Sequence, residues 1–278
     1  MQQQPIICPY CQNQLLATSN KNYACELNHN FDVSKEGYIN LLPVNQKKSK
    51  YPGDNEMMIS ARRIFLELGF YDPLIEHIKT IIKEDFTFNN NHFVALDAGC
   101  GEGYYSEKVM NNIPGMTSQI VGTDISKYAV KNAAKKYKDN FYFVSSVFNL
   151  PVASECIDFI LSIFSPLQPE EFKRILTKDG YVIVVSPGEN HLKELAELIY
   201  ENFREHENNV IEKMTPSLQY QTTKKATFNI HITDVESLLI LLKMTPYYWS
   251  TSKENLAKIE SCNDINITCD FKLFIFKR

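Results

Sequence analysis

The sequence predicts an α/β chain, a doubly wound sheet behind a small N-terminal metal-binding module. Three observations predict it. Short apolar runs alternate with helical patterns from residue 92 onward. The first of those runs ends in a glycine turn, Gly99-Cys100-Gly101-Glu102-Gly103. Three of the seven cysteines fall within the first 25 residues.

The 278 residues are 44% hydrophobic and 22% charged, with a net charge of −4. That balance is ordinary for a globular protein. It excludes a globally basic nucleic-acid binder, so an RNA partner would need a local basic patch. No run approaches the ~18 consecutive apolar residues of a membrane span. The start, Met1-Gln2-Gln3-Gln4-Pro5, lacks the charged end and apolar run of a secretory signal. Clustered cysteines in a reducing compartment favour metal over disulfides. We therefore expect a cytoplasmic protein with no membrane contact.

Residues 1–45 are expected to be the metal module. Cys8-Pro9-Tyr10-Cys11 is followed, after a 13-residue gap, by Cys25-Glu26-Leu27-Asn28-His29. Two short knuckles at this separation can supply four tetrahedral N/S ligands to zinc. Four protein ligands, Cys8, Cys11, Cys25 and His29, leave no open position, which makes the site structural. Phe31 and Tyr38 are expected to pack around the knuckles.

Residues 46–90 are expected to be a basic linker followed by helices lidding the cofactor site. Lys47, Lys48 and Lys50 lie in the polar connector and, with Arg62 and Arg63, are candidate phosphate contacts. Apolar residues then recur at helical spacing through Met57, Met58, Ala61, Ile64, Phe65 and Leu68. Gly69 ends that helix, and Pro73 to Lys83 forms the next.

Residues 91–278 are expected to be the catalytic domain. Phe93–Leu96, Gln119–Asp124, Phe141–Val144, Ile157–Phe164 and Tyr181–Val185 predict strands. Helices are predicted from Gly103, over Lys127–Tyr137, over Pro169–Leu176 and over His191–Glu205. The strands are β-branched and unpatterned, as in a parallel sheet covered on both faces. Further on, Ala226–Ile232 and Phe271–Phe276 predict strands, Val235–Met244 a helix, and 207–225 a loop.

The glycine turn carries the chemistry. Glycines permit a tight turn and close ligand approach to the main chain. A dinucleotide site would place its third glycine one residue later, where Tyr104 stands, and no Walker G-K-[ST] is present. The turn therefore suits a nucleoside cofactor without a pyrophosphate. Asp124 ends the next strand about 20 residues on, where a carboxylate receives ribose hydroxyls in this topology. Asp97 either holds the turn or receives the cofactor's amino group. Ser146, after the third strand, falls where an adenine ring is met. The fourth strand ends in Phe164-Ser165-Pro166-Leu167-Gln168, near the transferable group. This segment has neither an Asn/Asp-Pro-Pro-Tyr/Phe signature for an exocyclic amine nor a Pro-Cys nucleophile for a pyrimidine carbon. Methyl transfer to a ring nitrogen or oxygen needs alignment and loss of a proton, and no general base is evident.

These residues resemble the bacterial 23S rRNA (guanine-N1)-methyltransferases over nearly the whole chain. The resemblance rests on Cys8-x2-Cys11 with Cys25-x3-His29, on Phe31-Asp32-x2-Lys35-Glu36-Gly37-Tyr38-x-Asn40-Leu41-Leu42-Pro43, and on Pro52-Gly53-Asp54. It continues through Ala61-Arg62-Arg63-x-Phe65-Leu66-x2-Gly69-x-Tyr71-x-Pro73-Leu74 and the glycine turn through Tyr105. Pro187-Gly188-x2-His191-Leu192 and Met244-Thr245-Pro246-x2-Trp249 complete it. The zinc module joined to the Lys35–Pro43 run is the most specific part.

The resemblance implies a Rossmann-like class I methyltransferase sheet using S-adenosylmethionine, and a zinc ribbon that helps hold an rRNA hairpin. It implies methylation of guanine N1 in the loop of helix 35 of 23S rRNA. Its members split over two nearby guanines, one of which bears on macrolide-type resistance. It further implies cofactor contacts by Tyr71, Gly101, Glu102 and His191, and a homodimer. With Asp97, Gly99, Gly103, Asp124 and Ser146, these residues form the expected cofactor site. Trp249, with Tyr247 and Tyr248, either stacks on an extruded guanine or packs in the core. The alternative functions are a methyltransferase acting on a small quinone-like acceptor, with zinc serving only stability, and a nucleic-acid-binding zinc protein whose methyltransferase fold has lost activity.

Overall fold

A computed structural model of the chain describes residues 4–19, 21–46, 53–88, 92–110, 117–201, 203, 205–206 and 208–278. The connector lysines 47, 48 and 50 lie outside the described residues.

The N-terminal module is a three-stranded antiparallel sheet of β1 (Leu16–Ser19), β2 (Asn22–Ala24) and β3 (Asn30–Asp32). The chain then enters the main sheet as β4 (Ile39–Asn40), crosses α1 (Glu56–Glu67) and α2 (Asp72–Asp85), and starts the alternating pattern at β5 (His92–Ala98). There follow β6 (Thr117–Asp124), α3 (Lys127–Lys136), β7 (Phe141–Val144), β8 (Ile157–Ile163), α4 (Pro169–Ile175), β9 (Leu176–Pro187) and α5 (Lys193–Ile199). The last part holds α6 (Val210–Met214), β10 (Gln219–Ile232), α7 (Val235–Lys243), α8 (Tyr247–Ser250), α9 (Lys253–Glu260) and β11 (Ile265–Lys277).

The eight-stranded sheet has the order β10-β11-β9-β8-β5-β6-β7-β4. Pairings from β9 through to β4 are parallel, and β11 is antiparallel to both β9 and β10. Strand order reverses beside β5, so the ends of β5, β6 and β8 border the crevice where such sheets bind ligands.

Period-2 alternation along the strands builds two cores. Phe159, Leu161, Ile183 and Val185 face α1, α2 and α7. Ile160, Val182 and Val184 face the opposite side, where Ile6, Cys8 and Leu15 of the N-terminal module join Phe172 of α4 and Met214 of α6. The module therefore shares its core with the sheet. Main-chain bonds reinforce the contact: Ile7 N donates to Pro151 O (2.9 Å) and Ala153 N to Pro5 O (2.9 Å).

The Lys35–Pro43 run forms the hinge between the two sheets. Gly37 has φ +102°, open to glycine at little cost. Ile39 and Asn40 then pair in parallel with Phe143 and Val144. Tyr38 does not pack around the metal knuckles as expected; it is buried against Val130, Ala133 and Tyr142. Addition of β4 to β7 carries it away from the module.

Sequence and structure differ most after β9. The helix predicted over 191–205 shrinks to Lys193–Ile199. Leu192 holds a left-handed φ of 56° while its amide donates to Thr268 O at 2.8 Å, so the chain turns before the helix begins. At the other end, Asn255 Nδ2 donates to the Ile199 carbonyl oxygen at 2.6 Å. Both limits come from residues distant in sequence. The loop predicted over 207–225 contains α6 and the first half of β10. As the edge strand, β10 is polar from Gln219 to Lys225, which hides it from pattern reading and protects the edge. The helix expected from Gly103 starts as predicted, but Ser106–Met110 is wound as a π-helix.

Gly103 has φ +82°, and a Cβ there would stand 2.6 Å from the Tyr142 hydroxyl and 3.1 Å from the Ala133 Cβ. We predict that Gly103→Ala destabilises the protein by about 1–3 kcal/mol through overpacking, read as a lower urea midpoint at unchanged m-value.

Candidate functional site

The N-terminal ligand atoms converge without help from distant elements. Cys8, Cys11, Cys25 and His29 place one ligand atom each within 4.8 Å of one another. Cys11 Sγ is 3.5 Å from Cys25 Sγ, and His29 Nδ1 is 3.5 Å from Cys8 Sγ and 3.4 Å from Cys25 Sγ. A tetrahedron with zinc's usual bond lengths has edges of about 3.5–3.8 Å. The cluster therefore fits zinc, with His29 binding through Nδ1. All seven cysteines are free, so no disulfide competes. Tyr10 stacks on Phe31 (6.2 Å) beside His29.

The second site is a cavity of about 590 Å³ at the carboxyl ends of β5, β6, β8 and β9. The glycine turn forms its floor. Gly99 N and Cys100 N both donate to Thr123 O at 2.9 Å, tying the turn to the end of β6. Asp124 Oδ2 accepts from Gly101 N (3.0 Å) and Oδ1 from Ser126 N (2.7 Å). Gly101 has φ +53°, and a Cβ there would meet no atom within 4 Å, so bare main chain faces the cavity. At Gly99 a Cβ would stand 2.1 Å from Ser165 Oγ; that glycine lets the β8 end press onto the turn.

Polar atoms in this cavity lack partners. Tyr71 Oη, Glu102 Oε1, Ser165 Oγ and His191 Nδ1 are buried and without a hydrogen bond, and all four residues line it. Native proteins leave few buried polar groups unsatisfied. Four around one cavity mark a place for a polar ligand.

Residues 6–50 match the family described as "RlmA, N-terminal", and residues 89–243 the family described as "Methyltransferase domain". A Bacillus subtilis protein named "Putative 23S rRNA (guanine-N(1)-)-methyltransferase YxjB" is 32% identical over 96% of this chain and 95% of its own length. A Streptomyces fradiae protein named "23S rRNA (guanine(748)-N(1))-methyltransferase" is 28% identical over 90% of this chain and 88% of its own. This chain belongs to the 23S rRNA (guanine-N1)-methyltransferase family. Among solved structures, a chain of the "Complex between the Haloferax volcanii Trm112 methyltransferase activator and the putative methyltransferase" superposes with a TM-score of 0.51. It is 17% identical over 80% of this chain and 95% of that one, which supports the class I fold alone.

The methyltransferase's cavity is acidic. Burial pushes Glu102 up to about 7, opposed by Arg63, whose Nε is 3.8 Å away, and by Lys136. Glu67 holds both cations, bonding Arg63 at 3.0 Å and also Lys136. Asp97 is likewise pushed to about 7 by burial, against a 2.5 Å hydrogen bond from Ser106 Oγ. Burial raises Asp124 too, against its two backbone donors. His191 is driven down to about 3 by burial and the nearby His206, so its imidazole is neutral at physiological pH. Such an interior favours a cationic ligand, and S-adenosylmethionine carries positive charge on both sulfur and amine.

Of the sequence-predicted residues, Tyr71, Gly99, Gly101, Glu102, Asp124 and His191 line the cavity together. Asp97, Gly103 and Ser146 are not among its lining. Asp97 lies behind the turn on Ser106, Gly103 packs under Tyr142, and Ser146 Oγ accepts from Phe148 N at 3.3 Å. Trp249 is 62% exposed, outside both the core and the cavity, whereas its neighbour Tyr247 lines it. Arg62, read from sequence as a phosphate contact, also lines the cavity and is held by Asp54 at 2.6 Å. Sequence reasoning missed His206, which lines the cavity from a polar stretch without periodicity; its Nε2 lies 3.1 Å from Tyr247 Oη.

Because the metal module is built into the sheet's core, removing zinc should reach the whole chain. We predict about one zinc per chain by atomic absorption. Cys11→Ser should lose it and lower the thermal midpoint of the full protein, since metal binding contributes to folding.

Proposed function

We propose that this chain transfers a methyl group from S-adenosylmethionine to N1 of a guanine in a 23S rRNA hairpin loop, that of helix 35. The observation that carries the proposal is one chain joining a complete zinc-ribbon ligand set to an acidic, partly unsatisfied cavity. The names of relatives matched over most of its length support the same reading. In this proposal residues 1–45 grip the RNA, 46–90 lid the cofactor, and 91–278 hold the reaction.

When bound, the cofactor supplies an electrophilic methyl group on a positively charged sulfur. The chain binds and orients it. Gly101 offers main chain with no side chain in the way, Gly99 lets Ser165 close onto the turn, and Asp124 receives the sugar hydroxyls on lone pairs left by its backbone donors. Glu102 meets positive charge, while Tyr71 Oη and the neutral His191 Nδ1 bond the polar amino-acid end. Asp97 and Gly103 act indirectly, by holding the turn and seating its helix. Ser146 supports the wall after β7. Precise alignment of methyl and acceptor supplies much of the rate. The guanine N1 gives up its proton to solvent as it takes the methyl group, since its lone pair is free only once the N–H bond breaks.

No helix among the described residues is long and apolar enough to cross a membrane. A cytoplasmic location and a homodimer are parts of this proposal. Sedimentation of the purified protein reads the dimer.

Glu102 gives the cofactor site a pH dependence. A cation binds the ionised carboxylate more strongly, and burial delays ionisation to about 7. Cofactor affinity should therefore rise between about pH 6 and 8, and Glu102→Gln should flatten that rise. Calorimetric titration of wild type, Glu102→Gln and Asp124→Ala checks this, with Asp124→Ala losing measurable binding.

The RNA assignment is tested by tritiated-methyl transfer into purified rRNA and into small quinone-like acceptors. Primer extension on rRNA from cells with and without the gene then maps the modified base. We expect label in 23S rRNA and an N1-methylguanine stop in helix 35. Label in small acceptors alone would sink the proposal.

A further inference from the structure

The acceptor end of the cavity carries a feature that cofactor binding does not explain. Phe164 follows β8 with φ 52°, a conformation that costs a bulky L-residue free energy. Its amide is fixed by donation to Val185 O at 3.1 Å. Its ring is 50% exposed, although the residue follows a strand whose last five residues are all buried. Among the described residues it is the one exposed large hydrophobic that also lines the cavity. The other strongly exposed aromatics, Tyr10, Phe148 and Trp249, lie elsewhere.

The ring is braced as well as exposed. Its centroid lies 5.9 Å from that of the buried Phe271 and 5.9 Å from that of His191. Those contacts support one side and leave the rest of its surface open. The next residue, Ser165, has its Oγ buried without a partner, and Gly99 has no side chain to obstruct it. Pro166 then confines Ser165 to an extended backbone. A strained, braced aromatic therefore stands beside one unsatisfied hydroxyl, at the strand end that borders the transferable group.

We propose that Phe164 and Ser165 form the subsite for the acceptor base: the purine ring stacks on Phe164, and Ser165 Oγ hydrogen-bonds its polar edge. The proposal rests on the rRNA reading above and names the residues that would position its guanine. A base drawn out of an RNA loop loses its stacking, and an aromatic side chain restores it. A hydroxyl both donates and accepts, so it can meet either the N1–H or the O6 side of guanine. The strain at Phe164 then has a use, because ordinary backbone at this point would not present the ring to the cavity.

The test uses the full-length zinc-loaded protein and a helix 35 hairpin transcript carrying 2-aminopurine in place of the guanine that wild type methylates. Phe164→Leu keeps apolar bulk without a ring, and Phe164→Tyr keeps the ring. We expect kcat/KM for the unmodified hairpin to fall roughly ten- to hundredfold in Phe164→Leu, and roughly tenfold in Ser165→Ala. Phe164→Tyr should stay close to wild type. S-adenosylmethionine affinity by calorimetry should be unchanged in all three. The 2-aminopurine fluorescence should be quenched by wild type and Phe164→Tyr but not by Phe164→Leu. Wild-type RNA kinetics or wild-type quenching in Phe164→Leu overturns the subsite while leaving the rRNA reading intact. Loss of cofactor affinity in step with activity overturns it in favour of a structural role. Absence of RNA methylation by wild type overturns both readings, and it is seen before any variant is made.

Discussion

Asp124 binds the glycine turn with one carboxylate oxygen and the start of α3 with the other. The floor of the cavity, the end of β6 and the helix beyond it are thereby fixed as one unit. Thr123 O, taking two consecutive amides of the turn, adds a second tie at the same point. The carboxylate is partly withdrawn from water at the cavity wall, and its backbone donors offset the cost of that desolvation. Remaining acceptor capacity on the same group is what the cavity offers to a ligand. Holding the turn and binding the ligand thus draw on one side chain, and the acidic environment around Glu102 and Asp97 is built outward from it.

The zinc ribbon is coupled to this unit through packing. Ile6, Cys8 and Leu15 sit in the core beneath β8 and β9, and β4 extends the sheet next to β7. Its knuckle loops stay outside, with Tyr10 and Leu27 both more than half exposed. A module anchored on one side and open on the other can hold a large substrate in fixed relation to the cavity. The same physical constraint explains why the Lys35–Pro43 run is long: a glycine turn, a buried tyrosine and a strand are all needed to pass from one sheet to the other.

Much of the site was legible because its parts are local. The Cys8–Cys11 and Cys25–His29 knuckles bring ligands together within a few residues each, and the Gly99–Gly103 turn follows directly from its strand. Asp124 is readable because a strand end in a parallel sheet has a fixed place. Tyr71 and His191 were reached through the family resemblance, since neither stands in a local pattern that announces a ligand. Phe164 was noticed for its position alone. Its positive φ and braced exposure depend on Val185, Phe271 and Gly99, which no neighbouring residue in the sequence reveals.

The sequence by itself determined the α/β alternation, the zinc ligands, the glycine turn and its acidic partner, because each arises from spacing along one short segment. Tertiary structure alone decided where α5 begins and ends, that 219–225 is an edge strand, and that Tyr38 leaves the zinc module. It also decided which polar atoms are left without partners around the cavity. Those outcomes depend on bonds between residues far apart in the chain, such as Leu192 with Thr268 and Asn255 with Ile199, and only the folded packing sets such distances.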